Sequence, residues 1–149
     1  MRWVEGIVSI LQCAHCRQLT AHLIFSGDTD MVTMDLAALS SIVAEEIVVT
    51  LLEDEDYSDD TGKTLQARVN AQLGRDDLRF VRLLRSEDTN PGGVSIREYM
   101  RAWRPPRVIY ACPKCEIGEA TEFRSATPSD YRRDGGMLTI LAELELRDC

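Results

Sequence analysis

The sequence lacks the features that would place the protein in a membrane or export it. Its longest nearly apolar stretches, such as residues 47–52, are far shorter than the roughly 18 residues that a bilayer-spanning helix needs. The apolar run before Cys13 is interrupted by Glu5, and its unbroken part, residues 7–11, is too short for a signal-peptide core. We therefore expect a cytoplasmic protein without a membrane partner, in which thiols stay reduced.

Histidine is also scarce, and internal repeats are absent from the sequence. The two histidines form no recognisable constellation with a nucleophile or an acid, which leaves an enzyme without positive support and favours a non-catalytic role. With 149 residues, 44% of them hydrophobic and 28% charged, the chain has the size and composition of an ordinary globular domain. We expect a single domain over residues 1–149.

Four of the five cysteines form two close pairs, in "CAHC" and "CPKC", separated by 95 residues. Each pair can place two sulfurs about 2.3 Å from one tetrahedral Zn²⁺, and two pairs fill its four positions without an opening for water. A closed site of this kind is structural. We therefore predict one structural Zn²⁺ per chain, bound by Cys13, Cys16, Cys112 and Cys115.

Strand patterns surround both cysteine pairs. "IVSIL" precedes the first pair and "LTAHLIF" follows it with alternating apolar residues, while "RVIYA" precedes the second pair. A strand that turns through Cys-x-x-C and returns resembles the knuckle of zinc-ribbon proteins. The resemblance covers residues 7–25 and 107–147, identifies no specific family, and implies no particular function, because zinc ribbons serve many roles.

The long separation of the pairs implies an insertion between the two knuckles. Because only its ends must meet, its length costs little loop-closure entropy. The predicted fold class is α+β: an antiparallel β-sheet with a split four-cysteine zinc site over residues 7–25 and 107–147, and a mostly helical insertion over residues 26–106.

One other use of the cysteines, a dithiol redox pair, and two alternative ligands remain open. A dithiol redox pair would need a βαβ context and a cysteine at a helix N-terminus, neither of which is indicated. His15 and His22 are alternative ligands, but we favour a surface turn and a strand position for them. Cys149 is interpreted as a spare thiol.

The helical insertion rests on three patterns. In "TMDLAALSSIVAEEIVVTLL", Leu36, Leu39 and Val43 begin a helical spacing, although the β-branched second half would also suit a strand. "KTLQARVNAQLGRDDLRFVRLLRSED" predicts a helix that Gly74 divides into two pieces. "SIREYMRAWR" follows a capping box and ends before two prolines, which predicts a third helix.

Charge is distributed unevenly behind the net value of −8. Residues 18–62 contain eleven acidic residues and no lysine or arginine, and they include the run "EDEDYSDD". The sequence "TGKT", residues 61–64 at the end of this region, lacks the first glycine of a phosphate-binding loop. The acidic side chains that could contact a basic partner are Glu53, Asp54, Glu55, Asp56, Asp59 and Asp60.

The basic part, residues 63–110, carries arginines at helical spacing. Six of them could contact phosphate or an acidic partner: Arg75, Arg79, Arg82, Arg97, Arg101 and Arg104. Because the pI is about 4.8, nucleic acid is disfavoured as a partner and we favour pairing of these arginines with the acidic residues of the chain itself.

A protein partner is therefore the favoured interpretation. We expect a zinc-stabilised interaction or regulatory module, such as an inhibitor or adaptor acting on a basic or nucleic-acid-processing protein. The alternatives are a transcription-type zinc ribbon that binds nucleic acid through its arginines and a dithiol redox protein.

The C-terminal region gives the clearest strand pattern. In "LTILAELEL", Leu138, Ile140, Ala142, Leu144 and Leu146 alternate with mainly polar residues, and Leu141 is the exception. We predict one long strand here, with "ATEFRSA" as its antiparallel partner.

Overall fold

The computed structural model describes residues 2–25, 35–87 and 107–148. Its regular elements are ten strands, two α-helices and one short 3₁₀ helix over Asp54–Ser58. The strands are β1 (Arg2–Cys13), β2 (Leu19–Phe25), β3 (Leu36–Ser41), β4 (Glu46–Leu51), β5 (Leu78–Phe80), β6 (Leu83–Glu87), β7 (Arg107–Ala111), β8 (Glu119–Ala126), β9 (Met137–Ile140) and β10 (Leu144–Asp148). The helices are α1 (Lys63–Leu73) and α2 (Pro128–Arg133).

The strands form two sheets. In sheet A the order is β10-β1-β8-β7-β6, with β2 also paired to β1. The strand β1 is twelve residues long and reaches three neighbours: it runs parallel to β10 and antiparallel to β2 and β8. In sheet B the order is β5-β3-β4-β9, and β9 runs parallel to β4.

Sheet B is covered on both faces. Leu36, Ala38 and Val49 pack with residues of sheet A such as Val8 and Leu23 in one apolar cluster. On the opposite face, Leu39 and Val48 pack against Leu65 and Val69 of α1. The middle layer of the fold is therefore sheet B, between sheet A and helix α1.

This arrangement corrects the predicted helical insertion. The described part of residues 26–106 contains four strands, and α1 is its only α-helix. Residues 36–51, predicted as helical, form the β3–β4 hairpin. Because both faces of the hairpin are buried, apolar residues occur at nearly every position instead of alternately, and some of them fall at helical spacing by coincidence.

The basic region is half helix and half sheet. The predicted helix after Lys63 is confirmed, with Leu65 and Val69 buried as expected from its pattern. It ends at Gly74, whose left-handed φ of 64° lets its N–H bond back to Ala71 and Asn70. The second predicted piece is wrong, since the chain continues as β5 and β6.

The C-terminal strand pattern covers two strands. The apolar alternation continues from β9 to β10, but β9 belongs to sheet B and β10 to sheet A. Leu141, the exception in the pattern, lies at the crossing, donates its N–H to Val49 and packs with the α1 cluster. The segment "ATEFRSA" is β8, which pairs with β1 and β7 instead of the C-terminal strand.

Two expectations lie outside the described residues: the predicted helix of "SIREYMRAWR", with Arg97, Arg101 and Arg104, and the interpretation of Cys149 as a spare thiol. Within the described ranges, no helix combines the length and the apolar character needed to cross a bilayer.

Candidate metal centre

The four predicted ligands converge at one end of sheet A. The thiol sulfurs of Cys13, Cys16, Cys112 and Cys115 all lie within 4.8 Å of one another. The sulfurs of Cys13 and Cys115 are 3.6 Å apart, and those of Cys16 and Cys112 are 3.7 Å apart. With metal–sulfur bonds of about 2.3 Å, a tetrahedral zinc site has sulfur–sulfur edges of about 3.8 Å. The four thiols could therefore hold one metal ion.

The sulfur distances are those of separate ligand atoms. A disulfide has a sulfur–sulfur bond of about 2.05 Å, whereas the separations given above are 3.6 and 3.7 Å and all four cysteines are free.

The register of sheet A brings the two cysteine turns together. Residues 13–16, here called knuckle 1, connect β1 to β2, and residues 112–115, knuckle 2, connect β7 to β8. Cys13 at the end of β1 pairs with Ala120 at the start of β8, and Ala14 donates its N–H to the Glu119 carbonyl over 2.9 Å. Strand pairing thus forms the site from segments distant in sequence.

The two knuckles share one backbone geometry. The N–H of Arg17 donates to the Cys13 carbonyl, and the N–H of Glu116 donates to the Cys112 carbonyl, both over 3.0 Å. Arg17 and Glu116 adopt left-handed φ angles of 63° and 65°. Because this region is costly for residues with a side chain, its use at both equivalent positions shows that the two turns are built alike.

Backbone N–H groups point at the sulfurs and favour their ionised form. Cys13 Sγ accepts from His15 N–H at 3.3 Å and from Cys16 N–H at 3.4 Å, and Cys115 Sγ accepts from Gly118 N–H at 3.3 Å. Such donors, that of Ile117 first, lower the pKa of Cys115 to about 6. The thiolate, which is the metal-binding form, is thereby stabilised.

Burial acts in the opposite direction at Cys112. This side chain lies in an apolar cluster with Leu11, Val81 and Ala120, and burial raises the pKa of Cys112 to about 12. Without a metal the thiol keeps its proton near neutral pH, and a metal ion that binds there must displace it.

Gly118 is a site residue that the sequence analysis missed. A Cβ at position 118 would overlap the Cys13 sulfur and lie 2.8 Å from His15 Cβ. The backbone of β8 can approach the thiols this closely only if residue 118 has no side chain. The sequence signal that could have identified Gly118 is the spacing Cys-x-x-Cys-x-x-Gly of residues 112–118.

The two histidines lie outside the thiol cluster. His15 is exposed in knuckle 1. His22 is on β2, with its ring packed edge-on against Tyr110 at a centroid distance of 4.9 Å, and burial lowers its pKa to about 4. We therefore interpret both histidines as structural residues and not as metal ligands.

The predicted arginine stripe of residues 75–82 is not a helix face. Arg75 forms salt bridges with Glu46 and Asp77, each at 2.7 Å. Arg79 donates to the carbonyls of Asp76 and Leu78, and Arg82 is exposed. The internal pairing that we favoured from the sequence is present for Arg75, through acids outside the 53–60 run.

The acidic run is partly used inside the chain. Asp56 is buried and bonded to Arg68 at 2.8 Å, and Glu53 lies 3.6 Å from the same guanidinium. Asp59 accepts from the Thr61 hydroxyl and from the N–H groups of Thr61 and Thr64, and these hydrogen bonds, that of the hydroxyl first, hold its pKa well below the usual range. The exposed acids that remain are Asp54, Glu55 and Asp60.

The chain resembles no known protein in the comparisons made. No protein-family model, no curated protein and no solved structure matches it. The geometry of the four-thiol centre and of the surface around it therefore carries the functional proposal.

Proposed function

We propose that the protein is a non-catalytic, zinc-stabilised interaction module. The observation that carries the proposal is the closure of the centre: four thiol sulfurs at tetrahedral spacing supply every ligand, so no position is left for water or substrate. Zinc is the expected ion, because tetrahedral sites of four thiolates suit Zn²⁺ and the ion needs no redox partner.

The role proposed for the zinc is to join the ends of strands that pair only over short stretches. The pairing of β7 with β8 covers only Tyr110 with Ala120 and Ala111 with Glu119. A metal bound by both knuckles would fix this part of sheet A where few backbone hydrogen bonds do so.

The proposed partner is a basic protein that the module inhibits or recruits. The support is the exposed acidic group on and beside the 3₁₀ helix, where Asp54, Glu55 and Asp60 have no salt bridge within the described ranges. Exposed carboxylates of this kind steer association with a basic surface.

Zinc loading is tested by native mass spectrometry with metal analysis on protein purified under reducing conditions. We expect one zinc per chain, and in Cys112→Ser the loss of zinc together with the ordered structure around the two knuckles. Cys149→Ser removes the cysteine that belongs to neither Cys-x-x-Cys pair and is the matched control. Protein without metal that forms a reversible disulfide within each knuckle would instead support a dithiol redox protein.

The partner is tested with a lysine- and arginine-rich peptide, using fluorescence anisotropy at low salt. The triple variant Asp54→Asn, Glu55→Gln, Asp60→Asn should bind it at least about tenfold more weakly. A control with the same net charge neutralises exposed acids elsewhere, in Asp76→Asn, Asp134→Asn, Glu143→Gln. Equal weakening in both would reject the acidic surface as the contact.

A further inference from the structure

The basic side chains that lack a carboxylate partner are not spread evenly over the described part of the chain. Six arginines form salt bridges: Arg68, Arg75, Arg85, Arg107, Arg133 and Arg147. Of the others, five line clefts that adjoin the two knuckles, namely Arg17, Lys63, Arg79, Arg82 and Lys114. In a chain of net charge −8, this is a local concentration of uncompensated positive charge.

Three of these cations meet in one cleft of about 380 Å³. The lining residues include Lys63 at the start of α1, Arg79 of β5, Arg82 after β5, and Cys112 and Pro113 of knuckle 2. Glu116 is the only carboxylate in the lining, so the basic side chains outnumber the carboxylates by two, and Cys112 contributes a thiol or, with a metal bound, a thiolate. Its volume is in the range of small-molecule sites.

Two of the donors in the cleft, those of Arg79 and Gln66, are held in place before any ligand binds. Arg79 Nη1 donates to the carbonyls of Asp76 at 2.7 Å and Leu78 at 3.0 Å, which fixes the guanidinium and leaves its other N–H groups. Gln66 Oε1 accepts from Phe80 N–H at 2.9 Å, so its amide NH₂ remains as a donor. Side chains that are already ordered lose little entropy when a ligand binds.

Helix packing fixes the spacing of these groups. Phe80 of β5 packs on the backbone of Gly62, and a Cβ on Gly62 would overlap the Phe80 ring. The start of α1, with Lys63, is thereby held against β5, with Arg79.

The first turn of α1 does not itself provide the anion site. Asp59 already accepts from the N–H groups of Thr61 and Thr64 with its two carboxylate oxygens. The sequence "TGKT" therefore begins a helix whose start is capped by a carboxylate of the chain. Any external anion must be bound by the side chains of the cleft.

We propose that this cleft binds the phosphate group of a small phosphorylated molecule. Phosphate offers only acceptor oxygens and carries more than one negative charge, which matches a cleft of N–H donors with an excess of cations. The inference goes beyond the proposed interaction role and does not depend on it, because the cleft and the acidic group are formed by different side chains.

The test is an NMR titration of the zinc-loaded full chain with inorganic pyrophosphate at low salt. Metal content is measured afterwards to exclude chelation by the probe. We expect saturable shifts of the backbone amides of residues 63, 66, 79 and 82. Arg82→Gln and Lys63→Gln should each weaken binding about tenfold, and Glu116→Gln should tighten it.

Arg124→Gln is the matched control, because Arg124 is exposed, has no carboxylate partner in the described ranges and lines none of the three clefts. Its affinity should equal that of the unchanged protein, and thermal unfolding checks that each variant folds. The proposal is overturned if Arg124→Gln weakens binding as much as Arg82→Gln, or if no saturation occurs. If a single-stranded oligonucleotide binds to the protein and pyrophosphate does not, the cleft is part of a nucleic-acid-binding surface instead of a small-molecule phosphate site.

Discussion

The backbone of Gly118 lies so close to the Cys13 sulfur that residue 118 has no room for a side chain. At the scale of single residues, the centre therefore depends on five positions: the four cysteines and one glycine. The cysteines supply the ligand atoms, and the glycine lets β8 approach them. Exposed neighbours such as His15 contribute a backbone N–H instead of a side chain.

Replacing Gly118 with alanine should reduce metal affinity at least about tenfold, because either the Cys13 sulfur or the backbone of β8 must move away from the tetrahedral arrangement. Competition with a coloured chelator measures the change. Gly74→Ala is the control: it places a Cβ in open space at a left-handed φ of 64°. It should cost about 1 kcal/mol of unfolding free energy without changing metal affinity. Equal metal affinity in the unchanged protein and Gly118→Ala would contradict the geometry.

Metal affinity should fall as the pH is lowered, because protons compete with the metal for the sulfurs. Cys112, with its pKa raised to about 12, must release a proton on binding at every pH below that value. Cys115, with its pKa lowered to about 6, adds to the competition only below about pH 6. We therefore expect at least a tenfold loss per pH unit near neutrality, and a steeper loss below about pH 6.

Calorimetric titration of the metal in two buffers with different ionisation enthalpies counts the released protons. Affinity that does not change between about pH 7 and pH 6 would show that the thiols are already ionised in the metal-free protein.

At the scale of elements, a polar network holds the end of sheet B together. Arg75 bridges Glu46 at the start of β4 and Asp77 just before β5. Asp77 accepts from Ser41 Oγ of β3 at 2.6 Å, and Glu46 accepts from Thr139 of β9 at 3.2 Å. One guanidinium thus links groups from all four strands of the sheet or their immediate ends.

Arg75→Met should lower the free energy of unfolding by about 2 to 3 kcal/mol, because it leaves the largely buried carboxylates of Glu46 and Asp77 without a counter-ion. Arg85→Met is the control, since its pair with Glu119 is exposed on both sides and screened by solvent, so its loss should change the free energy of unfolding much less. Urea unfolding measures both. Equal losses would mean that the network has no special role.

The same network predicts the direction of a pH effect. Arg75 lowers the pKa of Asp77 below its unfolded value of about 4. The contribution of the Arg75–Asp77 pair to the free energy of unfolding is therefore complete above about pH 4. It is lost as the pH falls through the lower pKa that Asp77 has in the folded state. The difference in stability between the unchanged protein and Arg75→Met, measured by unfolding at several pH values, should shrink in acid and not in base.

At the scale of the whole molecule, the thiol centre and the main core are separate. The core between the sheets and the cluster under α1 contain none of the four cysteines, which lie in a third cluster with Leu11, Tyr110 and Ala120. Loss of the metal should therefore act unevenly over the structure.

Hydrogen exchange with and without a strong chelator tests this. We expect the amides of residues 112–120 to lose most of their protection when the metal is removed, while those of β4 keep theirs because both faces of β4 are buried. Cys149→Ser serves again as the control, because it removes a cysteine that belongs to neither Cys-x-x-Cys pair. Uniform loss of protection would mean that metal binding and folding of the entire chain are one event.

Part of this protein could be predicted from local sequence. The Cys-x-x-Cys spacing identified the four thiols that the structure brings together, because the ligand atoms and their tight turns are encoded within a few residues. The strands around the turns and the helix after Lys63 were also predicted, and the periodic pattern of the helix reflects the burial of Leu65 and Val69.

Tertiary structure decided the rest. The β3–β4 hairpin was mistaken for a helix because sheet A and α1 bury both of its faces, which removes the alternation that marks a strand. The last strand pattern gave no sign that the chain crosses from sheet B to sheet A near Leu141. The need for glycine at 118 and the meeting of Lys63, Arg79 and Arg82 in one cleft arise between segments distant in sequence. Local periodicity carries no information about such contacts, because only the packing of the sheets brings these residues together.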